Sequence, residues 1–256
     1  MLKWKLLLTT LPFVAGMIVI TFIRQSVLEI PGLIEFSDFS PVVTATALII
    51  GFMYSGVIAD YKESEKLPSQ IILSLEAIHD TFSELALAGK PVDLSYARRQ
   101  HFAVLSTVED WLMNRVSLSQ CWEALRGLNE ITAHIERAGA STAHTGRTLA
   151  ETVNLRAAVN RIHIIRTTSF IQTGYVLLYA LVSAVLLLLL IANFKSLVSQ
   201  YLIVASLSLI YIYLIFLIHD LDNPFDYADG IQVGSSEVSL DPLYFYHPIL
   251  ENSIKS

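Results

Sequence analysis

Four long stretches without a formal charge constrain what this chain can fold into. They cover residues 6–23, 39–59, 167–194 and 196–219, and they contain 18, 21, 28 and 24 residues. A helix needs about 20 predominantly apolar residues to cross the hydrocarbon core of a bilayer. The sequence therefore predicts an all-α membrane protein with four transmembrane helices.

The first stretch lies so near the N-terminus that a cleaved signal peptide is the alternative to a membrane span. Its apolar region runs nearly to Arg24, and Pro12, Phe13 and Phe22 interrupt the usual signal pattern. We therefore expect a helix that is retained in the mature protein.

The composition agrees with a membrane protein that has a sizeable aqueous part. Hydrophobic residues make up 54% and charged residues 16% of the chain, whereas soluble domains carry about 25% charged residues. The net charge of −6 includes no basic block, which argues against a nucleic-acid partner. Cys121 is the single cysteine, so the chain forms no internal disulfide, and we expect a buried thiol in a reducing compartment.

Lysine and arginine are distributed asymmetrically around the four predicted spans. The segment 60–166 contains 12 of them, whereas the loop after the first span has only Arg24 and the link between the last two spans has only Lys195. The positive-inside rule therefore places both termini and the large insert in the cytoplasm. We expect a multi-pass protein of the cell membrane, by default the bacterial inner membrane.

The domain boundaries follow from these spans. We predict the first two transmembrane helices in 1–60, a cytoplasmic helical domain in 61–166, the last two transmembrane helices in 167–220 and a cytoplasmic tail in 221–256.

Helical patterns fill the predicted cytoplasmic domain. Apolar residues from Ile71 to Leu85 recur at steps of three and four residues, and a second helix is predicted over 93–115 with four buried candidates. Ser117 or Ser119 is suited to cap a third helix. The small and polar segment 139–146 predicts a loop, and the next helix is expected to run from Arg147 to Asn193, into the third span. The four candidates in 93–115 are Tyr96, Ala103, Val108 and Leu112.

The sequence contains no motif that indicates an enzyme. A phosphate-binding glycine loop, a nucleophile elbow and an HExxH pattern are all missing from it. His134, His144 and His163 are scattered along the insert, and none is expected to bind a metal. We therefore expect neither catalysis nor a bound cofactor. The group His219, Asp220 and Asp222 ends the fourth span, either as an interfacial polar cap or as an ion or partner site.

The second span carries a stripe of residues suited to a pore. Thr44, Leu48, Phe52 and Ser55 follow one another at i, i+4, i+8 and i+11, on one helix face. Such faces from several subunits would form a narrow apolar constriction that gates by dewetting. The alternative is that this face packs against neighbouring helices.

Two short motifs lie beside the predicted spans. Gly51-Phe52 in the second span is followed by Glu65-Lys66-Leu67-Pro68. This motif resembles the Gly-Phe and Glu-x-Leu-Pro of the bestrophins, a family of pentameric ion channels with bacterial relatives, with spacing that differs by about one residue. The segment Leu221–Phe225 reads Leu-Asp-Asn-Pro-Phe, similar to the Asn-Pro-Phe that follows the last bestrophin span. The four-span layout with a large insert also agrees.

The resemblance implies a homopentamer in which the second span lines a central pore. By position, Thr44, Leu48 and Phe52 would form its hydrophobic neck, with Pro41 and Ser55 also lining the pore. The first two neck residues are smaller than those of the family, which implies a wider neck. The structural motif Asn223, Pro224 and Phe225 is expected to end the last span and to anchor the tail against the insert.

The sequence constrains the preferred ion less than it constrains the architecture. The family implies anion conduction, chloride included, whereas rings of Glu29, Glu35 and Asp38 in the outer vestibule favour a monovalent cation channel of the same architecture. Animal bestrophins hold calcium in an acidic cluster after Asn-Pro-Phe, and here only Asp226 and Asp229 match it. Calcium takes six to eight oxygen ligands, so these two residues are only a candidate cation site.

A scaffold or sensor and a transporter are the alternatives to a channel. A non-conducting scaffold or sensor would bury the stripe of the second span against other spans and expose an apolar patch on the insert. A transporter would need paired intramembrane charges, which the spans lack. The partners that we expect are inorganic ions, the lipid bilayer and further copies of the chain.

Overall fold

The computed structural model describes residues 4–167, 172–227 and 236–255, and most of them are helical. The elements in chain order are α1 (Lys5–Phe22), a π-helical turn (Ile23–Val27), β1 (Ile34–Glu35), α2 (Phe36–Ser64), α3 (Leu67–Leu87), α4 (Leu94–Leu112), α5 (Leu118–Arg137), α6 (Thr142–Thr167), α7 (Gln172–Ile191), β2 (Ala192–Asn193), α8 (Leu197–Asp222) and α9 (Asp241–Lys255).

Four helical segments of the described residues are long and apolar enough to cross a membrane. They are Lys5–Val27, a part of Phe36–Leu87, Thr173–Ile191 and Leu197–Asp222. The prediction of an all-α membrane fold with four spans is therefore confirmed.

The chain divides into two compact units. The membrane unit consists of Met1–Tyr61 and Thr168–Asn223, and the insert unit consists of Lys62–Thr167 and Pro224–Ser256. The C-terminal segment thus belongs to the insert unit, where α9 packs against α4 and α3. The sequence analysis missed α9, although Leu243, Tyr246 and Leu250 recur at helical spacing and all three are buried.

In the membrane unit, α1 packs along α8, and α7 also packs against α8. One apolar cluster includes Val43 and Ile50 of α2, Val182 of α7 and Tyr211 of α8. The spans are thereby joined by buried aliphatic side chains and one buried tyrosine.

The two short strands join the loop after α1 to the link between α7 and α8. Residues Ile34 and Glu35 pair in parallel with Ala192 and Asn193. Gly32 precedes β1, and a Cβ at this position would lie 2.6 Å from the backbone nitrogen and Cα of Asn193. Only glycine fits this close approach without displacing the strand.

In the insert unit, α3 packs against α6 and α4 packs against α5. The predicted stripe of α3 is confirmed, since Ile71, Leu75, Ile78 and Phe82 are fully buried. The predicted cap of the third insert helix is also confirmed. The Ser117 hydroxyl accepts the backbone N–H of Gln120, whose side chain accepts the N–H of Ser117, a capping box at the start of α5.

Two local predictions for the insert are wrong. The segment 139–146 is not a loop throughout, because α6 begins at Thr142, where the Ser141 hydroxyl accepts the backbone N–H of His144. Buried Thr145 and Thr148 hold the first two turns of α6 in the core, which outweighs their low helix propensity.

The second wrong prediction concerns two of the four buried candidates in α4. Ala103 is exposed and Tyr96 is only half-buried, whereas Val108 and Leu112 are fully buried as predicted. The buried positions of α4 instead include Ala97, His101 and Val104.

The predicted helix that joins 147 to the third span crosses 168–171, which lie outside the described residues. Its predicted end at Asn193 is wrong, because α7 ends at Ile191.

Candidate ion pathway

Helix α2 has one face turned into the membrane unit and one face turned away from it. Val43, Thr46, Ile50 and Val57 are buried at 8%, 1%, 0% and 2% exposure. These positions recur at steps of three, four and seven residues, which places them on one side of a helix. The opposite side is free to contact lipid, water or another subunit.

The predicted neck residues lie on the exposed side. Leu48 is 59% and Phe52 is 71% exposed, and Thr44 is also exposed. The Thr44 hydroxyl donates to the carbonyl oxygen of Ser40 at 3.1 Å. Its proton is therefore used within the helix, which makes this position less polar than a free hydroxyl would be.

The other predicted pore-lining residues share the exposed side with several small residues. Pro41 and Ser55 are exposed, as is Ala45. A Cβ added at Gly51 or Gly56 would meet no atom within 4 Å. A membrane helix face that combines small residues with large apolar ones is typical of close contact between helices.

Proline inside α2 leaves one backbone carbonyl without its helical donor. Pro41 has no N–H to offer the carbonyl of Ser37. The Ser40 hydroxyl donates to this carbonyl at 3.1 Å and thus compensates for the missing bond. The helix consequently continues through the proline to Ser64.

The three acidic residues of the predicted outer vestibule differ in their surroundings. Glu29 is exposed and has a φ of 51°, a left-handed conformation. Asp38 is exposed in the first turn of α2. Glu35 accepts a hydrogen bond of 3.0 Å from the side-chain amide of Asn193, so it connects the two short strands. Asp38 accepts a long hydrogen bond of 3.4 Å from the hydroxyl of its neighbour Ser37, so unlike Glu35 it is not held by another element.

The predicted Asn-Pro-Phe motif lies at the end of α8. Asn223 is the C-cap of α8, and Phe225 is fully buried. The Pro224 carbonyl accepts the backbone N–H of Val238 at 2.8 Å, and the Tyr227 hydroxyl donates to the carbonyl of Val238. These bonds join the segment after α8 to the segment before α9.

The candidate cation site is only partly described. Asp226 is exposed and lies near the Arg166 guanidinium, whereas Asp229 lies outside the described residues. Burial lowers the pKa of Arg166, and the nearby Tyr227 and Asp226 oppose this shift. Within the described ranges, no group of three His, Cys, Asp or Glu residues is arranged to hold a metal ion.

Two of the scattered histidines have structural partners within the insert unit. His134 stacks on Tyr96 and Phe82, and its Nε2 accepts the backbone N–H of Asp93 at 3.3 Å. His144 contacts the Ser141 hydroxyl through its Nδ1 at 2.8 Å. His163 is half-buried on α6. At the end of α8, His219 lies 6.2 Å from Tyr175 between ring centroids.

The sequence analysis missed two features that bear on the site. One is the hydrogen bond by which Tyr211 of α8 contacts the backbone of α2 at Val43. The other is a cleft between α3 and α6 in the insert unit. Neither has a signal in the sequence, because each depends on which helices become neighbours.

Solved structures of bacterial bestrophin homologues from Klebsiella pneumoniae share this fold. An aspartate-to-alanine variant is 15% identical with a TM-score of 0.71, and the match covers 98% of this chain and 99% of that one. An isoleucine-to-threonine variant is 14% identical with a TM-score of 0.72, covering 98% of this chain and 100% of that one. No curated protein matches the chain. The sequence profile of the bestrophin-like domain matches residues 7–235, and the chain therefore belongs to the bestrophin-like family.

Proposed function

We propose that this chain is one subunit of a homopentameric ion channel whose pore is lined by α2. Membership of the bestrophin-like family supports a channel. The observation that carries the proposal is the exposed stripe Pro41, Thr44, Leu48, Phe52 and Ser55, opposite the face that packs into the membrane unit.

In this proposal the narrowest part of the pore is a hydrophobic neck. Thr44, Leu48 and Phe52 are four residues apart, so their rings are spaced by about 6 Å along the axis. Stacked apolar rings gate a pore by dewetting and offer no ligand to replace an ion's hydration shell. Such a neck favours large, weakly hydrated ions of either sign. We assign anions such as chloride as the preferred cargo because of the likeness to the bestrophins.

A monovalent cation channel of the same architecture is the second candidate, because of the acidic residues near the start of α2. Glu29 and Asp38 are exposed. In a pentamer they would form rings of negative charge that raise the local cation concentration. Reversal potentials distinguish the two candidates.

A scaffold without conduction fits the structure less well than a channel. That hypothesis requires the α2 stripe to be buried against other spans, but Leu48 and Phe52 are among the more exposed apolar residues of the described chain. The glycines of the same face suit contact with another subunit instead.

The proposed orientation places both termini and the insert unit in the cytoplasm, with Glu29 and Asp38 on the outside. The asymmetry of lysine and arginine supports it. A bacterial inner membrane is the proposed location.

Ion flux through purified protein in liposomes tests the proposal. Wild type is compared with Leu48→Ala and Phe52→Ala, and Leu187→Ala on α7, which is 62% exposed, is the matched control. We expect wild type to conduct, the two α2 variants to conduct more because the neck is wider, and the control to match wild type. If neither wild type nor the α2 variants conduct under any gradient, the chain is not a channel.

A further inference from the structure

A cleft of about 550 Å³ lies between α3 and α6 in the insert unit. It is open to solvent along the groove between the two helices. Ser74, Ala157 and Ala158 are among its lining residues, and their small side chains leave the groove unfilled. A volume of this size is within the range of small-molecule sites.

The polar residues of α6 in this cleft lie on one face. Glu151, Asn154 and Arg161 are at positions i, i+3 and i+10, so they extend about 15 Å along the helix. The two ends of the cleft therefore differ in chemistry.

One end is already neutralised by an ion pair. The Arg161 guanidinium donates hydrogen bonds from both Nε and Nη2 to the Glu63 carboxylate. The Arg161 hydrogen bond is the largest cause that lowers the pKa of Glu63. These two charges cancel, so the cleft has a net charge of −1 that comes from Glu151.

The other end offers acceptor atoms without matching donors. One oxygen of Glu151, Oε2, accepts bonds from the Ser74 hydroxyl at 3.1 Å and from the Asn154 amide nitrogen at 3.2 Å. Within the described residues, no hydrogen bond reaches Glu151 Oε1, Asn154 Oδ1 or the Gln70 amide, which carries donors as well as an acceptor. Asn154 and Gln70 are exposed, so these atoms are open to solvent. Leu73, which is 63% exposed, and Ala157 add an apolar wall.

We propose that this cleft binds a small ligand with a primary ammonium group and a short alkyl chain. An ammonium group has three donors and no acceptor, which matches the free acceptors around Glu151. The alkyl chain lies against Leu73 and Ala157. An anion would meet the unneutralised Glu151, and a metal ion would find too few carboxylates. This binding site is additional to the pore and does not depend on conduction.

Calorimetric titration of the detergent-solubilised full-length protein with n-butylammonium tests the proposal. Tetramethylammonium has the same charge without N–H donors, and 1-butanol has the same chain without charge. Glu151→Gln removes the charge, and Ala157→Leu fills the groove at an exposed position. Glu123→Gln, an exposed carboxylate of α5 outside the cleft, is the matched control.

We expect n-butylammonium to bind with one site per chain, and tetramethylammonium and 1-butanol to bind at least about tenfold more weakly. Glu151→Gln and Ala157→Leu should each reduce the affinity by about tenfold or more, and Glu123→Gln should leave it unchanged. Thermal unfolding confirms that each variant is folded. The absence of saturable binding to wild type overturns the proposal. So does an unchanged affinity in both cleft variants, or equal binding of tetramethylammonium.

Discussion

The phenolic hydroxyl of Tyr211 on α8 donates a hydrogen bond of 2.6 Å to the carbonyl oxygen of Val43 on α2. Tyr211 is 1% and Val43 is 8% exposed, so the bond is shielded within the membrane unit. Val43 directly precedes Thr44, the first proposed neck residue. The bond therefore fixes the rotation of α2 at the level where the exposed stripe begins.

Tyr211→Phe is expected to weaken this attachment without emptying the core, because the ring stays in place. The free energy of unfolding should fall by about 1 kcal/mol, the usual net value of one hydrogen bond. Ion flux in liposomes should change as well, since α2 can rotate. Tyr213→Phe is the matched control on the same helix. If Tyr211→Phe and Tyr213→Phe had the same ion flux and the same unfolding temperature, the proposed role of the Tyr211 hydrogen bond would be contradicted.

Gly32→Ala and Gly16→Ala form a matched pair within the membrane unit. A Cβ at Gly32 would lie 2.6 Å from the backbone of Asn193, whereas one at Gly16 would meet nothing within 4 Å. We expect Gly32→Ala to lower the thermal unfolding temperature because β1 must move away from β2. Gly16→Ala should raise it slightly, since alanine in a helix interior is favoured over glycine by about 0.5–1 kcal/mol. Thermal unfolding in detergent checks both, and a stable Gly32→Ala variant would show that the strand contact is unimportant.

The four spans and the α3 stripe are predictable from the sequence because they depend on local patterns. Charge-free stretches and apolar spacing reflect burial of one helix at a time. The start of α6 is not predictable in this way, since Thr145 and Thr148 have low helix propensity and are held by burial in the core.

The candidate site is only partly predictable, for the same reason. The spacing of Thr44, Leu48 and Phe52 places them on one face, but it does not say whether that face is exposed. Exposure depends on which side of α2 packs into the cluster with Tyr211, which is a tertiary property. The cleft beside Glu151 likewise depends on the pairing of α3 with α6, two helices far apart in the chain.

Glu109 on α4 is expected to make the stability of the insert unit depend on pH. It is 8% exposed, and its Oε2 lies 3.7 Å from Nδ1 of His247 on α9. Burial raises the pKa of Glu109 above its usual 4.5, and His247 only partly opposes this shift. The folded state therefore holds the proton more tightly than the unfolded chain, so stability is lost as the pH rises through the raised pKa.

Glu109→Gln, which stays neutral, should be more stable than wild type at pH 8. The difference should shrink as the pH falls to 4 and below, because Glu109 then becomes protonated in both states. Thermal unfolding across this range measures the difference, with Glu123→Gln as the exposed control. A difference between Glu109→Gln and wild type that is constant with pH would exclude titration of Glu109 as its cause.

Cys121 should be unreactive in the folded protein. It is fully buried on α5, and burial raises the pKa of its thiol to about 12. Thiolates are the reactive form of cysteine, so both access and ionisation are suppressed. We expect maleimide to label wild type only after denaturation. Leu87→Cys, at a position 90% exposed, should be labelled at once in the native state. Rapid native labelling of wild type would show that α5 opens readily.

The acidic residues near the start of α2 provide a test of the proposed selectivity. Glu29→Gln with Asp38→Asn removes ten negative charges from a pentamer, two from each of five subunits. Because these charges attract cations, the reversal potential of the double variant should lie closer to the equilibrium potential of the anion. The Debye length is about 10 Å at 0.1 M salt and longer in more dilute salt, so the shift in reversal potential should be larger at low ionic strength.

Glu35→Gln is the comparison variant, because it removes one charge from each subunit instead of two and its carboxylate is held in place by the neutral amide of Asn193. Removing this charge should change the reversal potential less than the double variant does. A double variant with the reversal potential of wild type at low salt would place Glu29 and Asp38 away from the ion path. An anion preference that persists in that case would have to arise in the neck itself, at Leu48 and Phe52.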